Sequence, residues 1–297
     1  METSELLKKV RKIEIKTRGL SNQIFSGEYH SAFKGKGMTF SEVREYQFGD
    51  DIRAIDWNVT ARFSAPYVKI FEEERELTVM LLVDVSGSKD FGSSTQFKKD
   101  LATEISAVLA FSAIQNNDKI GVIFFSDQIE KFIPPKKGRG HILRIIRELL
   151  NLEPVSKKTD LSNALKYFTN VIKKKSIAFI ISDFLDPNFT RESQKGEDAL
   201  KIANKKHDIV ALRLYDEREV TLPSVGLVKM KDAESGQFMW VDTSSRKVRN
   251  YYDHWNRANE DNLNRIFKRC GVDSTKIRTD QSYVKPLMNV FKRREGR

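Results

Sequence analysis

Four short apolar runs divide the middle of the chain: Leu77-Thr-Val-Met-Leu-Leu-Val83, Lys119-Ile-Gly-Val-Ile-Phe-Phe125, Ser176-Ile-Ala-Phe-Ile-Ile181 and Asp208-Ile-Val-Ala-Leu-Arg-Leu214. Near-continuous apolar character over so few residues is the mark of strands covered on both faces. The segments between them change period. Phe97, Leu101, Ile105, Val108, Leu109 and Ser112 recur at steps of three and four, which predicts an amphipathic helix over 96–116. Ile142, Leu143, Ile145, Ile146, Leu149 and Leu150 predict a second, and Leu161, Leu165, Phe168, Val171 and Ile172 a third. Asp160 stands where that third helix needs an acceptor for its free amides. Ala199, Ile202 and Ala203 mark a fourth, shorter helix. Strands alternating with helices imply βαβ crossovers, hence an α/β fold with a doubly wound, mostly parallel sheet.

Two regions flank this unit, so the chain reads as 1–76, 77–218 and 219–297. The first opens with an amphipathic helix (Leu6, Leu7, Val10, Ile13) and continues over 23–76 as loops and short strands. Within it, the charged residues of Asp50–Trp57 either bind a partner or, as the preferred reading, act internally: Trp57 is expected to pack while Arg53 and Asp56 satisfy buried polar groups. The last region predicts an α+β extension packed on the central domain. It comprises a hairpin (Gly226–Met230 and Gln237–Thr243, turning at Asp232–Gly236), a helix over 248–269, a short strand at Thr275–Arg278 and a helix over 282–293.

Each apolar run ends in polar residues: Asp84, Ser126-Asp127, Ser182-Asp183 and Tyr215-Asp216. In open parallel sheets ligands bind outside the carboxyl ends of the strands, so these ends predict a shared polar rim. Its most informative stretch is Asp84-Val85-Ser86-Gly87-Ser88. Alternate residues of an extended turn face one way, so Asp84, Ser86 and Ser88 can offer three oxygens to one point. Thr159, just before its helix, and Asp183 add two more. Two carboxylates and three hydroxyls form a hard oxygen set suited to Mg²⁺, which takes few protein ligands and keeps several waters. The competing reading is that the five oxygens only cap turns and helices.

The Asp84–Ser88 stretch, with Thr159-Asp160-Leu161 and Ser182-Asp183-Phe184 downstream, resembles the metal-ion-dependent adhesion site of von Willebrand factor A domains. Upstream, Gly49-Asp50-Asp51-Ile52-Arg53-Ala54-Ile55-Asp56-Trp57 with Arg62 is similar to the segment preceding this domain in a bacterial branch, the domain-of-unknown-function family fifty-eight. The resemblance spans about residues 5–295. It implies a doubly wound α/β domain and metal ligation, direct or through water, by Asp84, Ser86, Ser88, Thr159 and Asp183. Mg²⁺, Mn²⁺ or Ca²⁺ would be the ion, and a partner's carboxylate would complete its coordination. Members are commonly encoded beside MoxR-type AAA+ ATPases, so the implied partner is such an ATPase or its substrate. One departure is Lys89, where the family commonly has Met; an ammonium beside a divalent ion would weaken its binding.

Composition narrows the alternatives. Lys and Arg number 52 against 41 Asp and Glu, a formal charge of +11. The surplus lies wholly after residue 76, in clusters such as Lys136-Lys137-Gly138-Arg139, Lys157-Lys158, Lys173-Lys174-Lys175 and Lys292-Arg293-Arg294. A surface binding nucleic acid or an acidic partner, with metal incidental, is therefore the second reading. Nucleic acid is the weaker form of it, since no RNP motif, zinc finger or aromatic–basic array accompanies the clusters. A phosphatase using Asp84 as nucleophile would need a second carboxylate two residues on as acid/base, and that position is Ser86. No G-x-S-x-G or G-x-x-x-x-G-K-[ST] motif occurs, so the chain reads as a non-enzyme. One cysteine, Cys270, excludes a disulfide framework. No apolar run approaches the ~18 residues of a membrane span, and METSELLKKV carries no secretory h-region. The expected compartment is the cytoplasm.

Overall fold

The computed structural model describes Ile13 and residues 38–63, 65–73, 76–87, 97–190, 193–231 and 237–295. The predicted N-terminal helix, the turn at Asp232–Gly236, Ser88 and Lys89 lie outside these residues, although Ile13 is itself helical. The chain divides into two compact units: Phe33–Leu77, and the remainder.

The smaller unit is built on an antiparallel pair, β1 (Met38–Glu45) and β2 (Tyr67–Glu73), with a bulge between Phe40 and Glu42. A one-turn 3₁₀ helix (Ile52–Ala54) and α1 (Trp57–Phe63) connect the strands. The connection is ordered by local carboxylates. Asp50 takes a two-pronged bond from Arg44 at 2.8 Å on each oxygen, and that pairing holds its carboxyl below the usual range. Asp51 accepts from the Arg53 amide, and Asp56 from those of Asn58 and Val59. Trp57 does not pack as expected: the residue is 68% exposed, and Arg53 is exposed too. Asp56 likewise serves no buried group: it accepts from the exposed Asn58 and half-buried Val59 amides at the start of α1, with Lys69 at 3.4 Å.

The larger unit runs β3 (Thr78–Asp84), α2 (Lys98–Gln115), β4 (Lys119–Phe125), β5 (Ile129–Lys136), α3 (Arg139–Asn151), α4 (Leu161–Val171), β6 (Ile177–Ser182), α5 (Lys195–Lys206), β7 (Asp208–Tyr215), α6 (Glu217–Val220), β8 (Leu227–Lys231), β9 (Phe238–Asp242), α7 (Arg246–Cys270), β10 (Asp273–Arg278) and α8 (Val284–Glu295). Six strands form one sheet in the order β10-β7-β6-β3-β4-β5, parallel throughout except for β5. This is the predicted doubly wound α/β sheet. The apolar runs are its four inner strands, and β8–β9 form the predicted hairpin, a two-stranded sheet of its own.

β5 has no counterpart in the sequence reading. Pro134-Pro135 lies within it, and a proline pair that cannot donate to a ladder is tolerated at an edge strand. Successive residues of β3 feed two cores. Met80 and Leu82 pack with Leu161, Leu165 and Phe168 of α4, Leu200 of α5 and Ile266 of α7. Val79, Leu81 and Val83 point the other way. On that face α2 packs along the sheet, α3 packs on α2, and Phe291 of α8 meets Phe179 of β6 edge-on at 6.3 Å. Strand order reverses about β3, whose sequence-next neighbour β4 lies on one side and β6 on the other. That topological switch point is where a parallel sheet opens a crevice.

Candidate functional site

β3 carries Asp84 to this point. Past its end, Val85 still bonds β4, its amide donating to Phe125 O at 2.8 Å. The chain then turns back on Asp84, whose Oδ1 accepts from the Ser86 amide at 2.9 Å. This is the local turn an aspartate makes with the residue two further on. Gly87 N donates to Lys157 O at 2.9 Å, and Asp160 N to Ser126 O at 3.0 Å. These two bonds pin the loop before α4 between the ends of β3 and β4. Thr159 lies in that pinned stretch and is buried, while its neighbours Lys157 and Lys158 are exposed. Asp160 caps α4 as expected, accepting from Asn163 N at 2.9 Å.

The end of β6 closes the site from the other side. Ser182 Oγ donates to Asp84 Oδ2 at 2.6 Å and accepts from Phe184 N at 3.0 Å. Asp183 Oδ1 accepts from Leu185 N at 3.0 Å. This tight return requires Phe184 at φ 58°, a left-handed conformation that costs a bulky residue energy. Its ring is held edge-on by Phe267 at 5.1 Å and Phe189 at 6.3 Å, so core packing stabilises the strained turn that orients Asp183.

The structure thus brings together Asp84, Ser86 and Asp183 and ties the Thr159 loop to the same turn; Ser88 lies outside the described residues. The other strand-end residues serve the scaffold. Ser126 donates to Glu130 at 2.6 Å, and Asp216 builds a capping box on α6 and accepts from Thr279 Oγ1 at 2.7 Å.

One residue the sequence reading missed is Lys98, the first residue of α2. Its ammonium is buried between Asp183 Oδ2 at 2.9 Å and Glu219 Oε1 of α6 at 2.5 Å. Burial pulls its pKa down, but the two carboxylates outweigh that and hold it above the ordinary lysine value. Burial pushes Glu219 up, with Lys98 opposing. Arg213 of β7, pulled down by burial, feels the same two carboxylates.

Asp84 is in a different position. Burial first, and the Asp183 charge second, push its carboxyl up to about 6, against hydrogen bonds from Ser182 and Ser86 that pull it down. Among the described residues no ammonium or guanidinium pairs with it. A carboxylate in this state, flanked by hydroxyls and a second carboxylate, has the donor chemistry a hard divalent cation requires. Asp84, Ser86, Thr159 and Asp183 would hold such an ion. Among the described residues no group of three or more His, Cys, Asp or Glu is placed to hold a metal, so a site here depends on hydroxyl oxygens.

Residues 42–262 match the family described as protein of unknown function DUF58. The full chain is 29% identical over 300 residues to uncharacterized protein Rv1480 of Mycobacterium tuberculosis, covering 92% of it. More distant likenesses are to two solved structures. One is the conserved hypothetical protein BatB of Bacteroides thetaiotaomicron, at 15% identity and TM-score 0.44, over 74% of this chain and 100% of that one. The other is the SpRpn10 VWA domain, at 11% identity and TM-score 0.36, over 72% and 94%. Among the described residues no helix is long and apolar enough to cross a membrane.

Proposed function

The chain belongs to the DUF58 family, and on that premise we propose that it is a metal-dependent protein-interaction protein whose strand-end site captures a carboxylate of its partner. The observation that carries this reading is the carboxylate of Asp84, set at the switch point beside Asp183 with no cation of its own among the described residues. A divalent ion bound there would supply an open coordination position for a partner's Asp or Glu. Ser86 and Thr159 contribute hydroxyl oxygens, and the Phe184 turn fixes the direction of Asp183. Lys157 and Lys158, exposed beside Thr159, favour an acidic approach face. Catalysis is not part of the reading, because the position two residues after Asp84 holds Ser86 and no acid.

A MoxR-type AAA+ ATPase, or a substrate delivered to it, is the proposed partner. The test is calorimetric titration of EDTA-stripped protein with MgCl₂ and MnCl₂, followed by co-purification with a co-expressed MoxR-type ATPase. The expected results are ion binding lost in Asp84→Ala and complex formation lost in EDTA. Absence of ion binding, or a complex indifferent to both EDTA and Asp84→Ala, overturns the reading. Binding to arbitrary duplex DNA that falls steeply with salt and ignores EDTA would install the basic-surface reading instead.

A further inference from the structure

Lys98 stands where a helix repels it. The first turn of a helix carries the positive end of the backbone dipole, which favours acidic side chains and disfavours cations. Lys98 is nonetheless the first residue of α2, with its side chain 4% exposed. Two carboxylates hold it there, and they differ in kind. Asp183 belongs to the proposed ion site. Glu219 does not: it lies on α6, where its Oε2 accepts from Asp216 N as half of a capping box. α6 is in turn tied to α7, since Tyr252 Oη donates to Glu219 O at 2.8 Å and Asn256 Nδ2 to Val220 O at 3.2 Å. Asp183 also has a second cationic neighbour in Arg213, whose buried Nε meets no acceptor among the described residues.

We propose that Lys98 is a built-in counter-cation that sets the ion affinity of the strand-end site, holding Asp183 back from a metal while Glu219 draws the ammonium away. This rests on the ion-binding reading above and adds to it a positioning residue outside the ligand set. An ion drawing on Asp183 competes with the Lys98 ammonium for the same carboxylate. The stronger the hold of Glu219 on that ammonium, the smaller the competition. Lys98 and Glu219 therefore act on affinity with opposite sign, although they form one ion pair.

The experiment is calorimetric titration of the full chain, stripped with EDTA, with MgCl₂ and MnCl₂. Lys98→Met is expected to tighten binding by about tenfold or more, because it removes a unit positive charge 2.9 Å from Asp183 Oδ2. Glu219→Gln is expected to weaken it about threefold or more, since the ammonium then falls wholly to Asp183. Lys98→Arg, which keeps the charge, should stay near the wild type. Circular dichroism checks folding; should Lys98→Met not fold, the double variant Lys98→Met/Glu219→Gln, which leaves fewer uncompensated charges, is expected to bind more tightly than the wild type. Shifts of the same sign in Lys98→Met and Glu219→Gln, or no shift in either, overturn the proposal while leaving the ion site standing on its Asp84→Ala control. If the wild type binds neither ion, the site reading falls and this proposal falls with it.

Discussion

Replacing Asp84 by Asn should make the ion-free protein more stable at neutral pH, the reverse of the usual outcome at a hydrogen-bonded aspartate. The folded carboxyl titrates at about 6, against an ordinary 3.8, because burial and the Asp183 charge both oppose its ionisation. A folded pKa above the unfolded one means that the folded state holds the proton more tightly. The associated stability is complete below about pH 4 and is lost as the pH rises through about 6. At pH 7.5 the difference corresponds to a penalty of about 3 kcal/mol as a ceiling, discounted because Asp84 keeps part of its surface exposed. Asn removes the charge but offers one acceptor atom where the carboxylate offers two. One of the bonds from Ser182 Oγ and Ser86 N is therefore lost, at about 1 kcal/mol. The net expectation is a gain of about 1–2 kcal/mol, or several degrees in Tm for a unit of this size. Thermal and urea unfolding in EDTA would measure it, at pH 7.5 and again at pH 5. Between those values the advantage of Asp84→Asn should shrink by about 1.4 kcal/mol as the wild-type carboxyl takes up its proton. Excess Mg²⁺ should stabilise the wild type and leave the variant unchanged. A variant less stable than the wild type at pH 7.5, or an advantage equal at both pH values, would refute the reasoning.

Substitutions at three further positions probe the scaffold behind the site. His207, buried against Phe168 with ring centroids 4.3 Å apart, has its pKa pushed down to about 4 by burial and then by Lys206. The folded state therefore disfavours the proton, and stability is lost as pH falls from 6.5 toward 4; acid unfolding of His207→Gln should show a shallower loss over that window. At Phe184, alanine should cost about 3–5 kcal/mol through lost ring packing. Glycine, which accepts φ 58° without strain, should be about 1 kcal/mol less damaging than alanine in urea unfolding; the common order, alanine above glycine, would show the turn is unstrained. Gly121→Ala would place a methyl 2.8 Å from Met80 Sδ and 2.9 Å from Pro135 N, so it should lower stability by about 1–3 kcal/mol, read from the urea midpoint.

What the sequence discloses and what it hides differ by a physical rule: features made by neighbours along the chain are legible, and features made across the fold are not. The inner strands announce themselves because Val79–Val83 is buried on both faces and so must be apolar at every position. Asp160 is legible because it caps the helix it precedes. β5 is not, because its prolines argue against a strand until its edge position is known. Trp57 misleads because an aromatic beside paired charges reads as a packed anchor, yet its ring is exposed. At the site, Asp84, Ser86 and Asp183 could be named from spacing, but the ammonium that neutralises Asp183 could not. Lys98 lies 85 positions away from it, at a helix start where lysine ordinarily reads as solvated surface. The faint signal was its place in the first turn of α2, where the dipole favours the opposite charge. A cation kept at the wrong end of a helix implies a carboxylate supplied from elsewhere, and here the fold supplies two. Lys98-Lys99 offered that clue as a pair; only the packing of α2 against the sheet decides that Lys98 turns inward while Lys99 remains partly exposed.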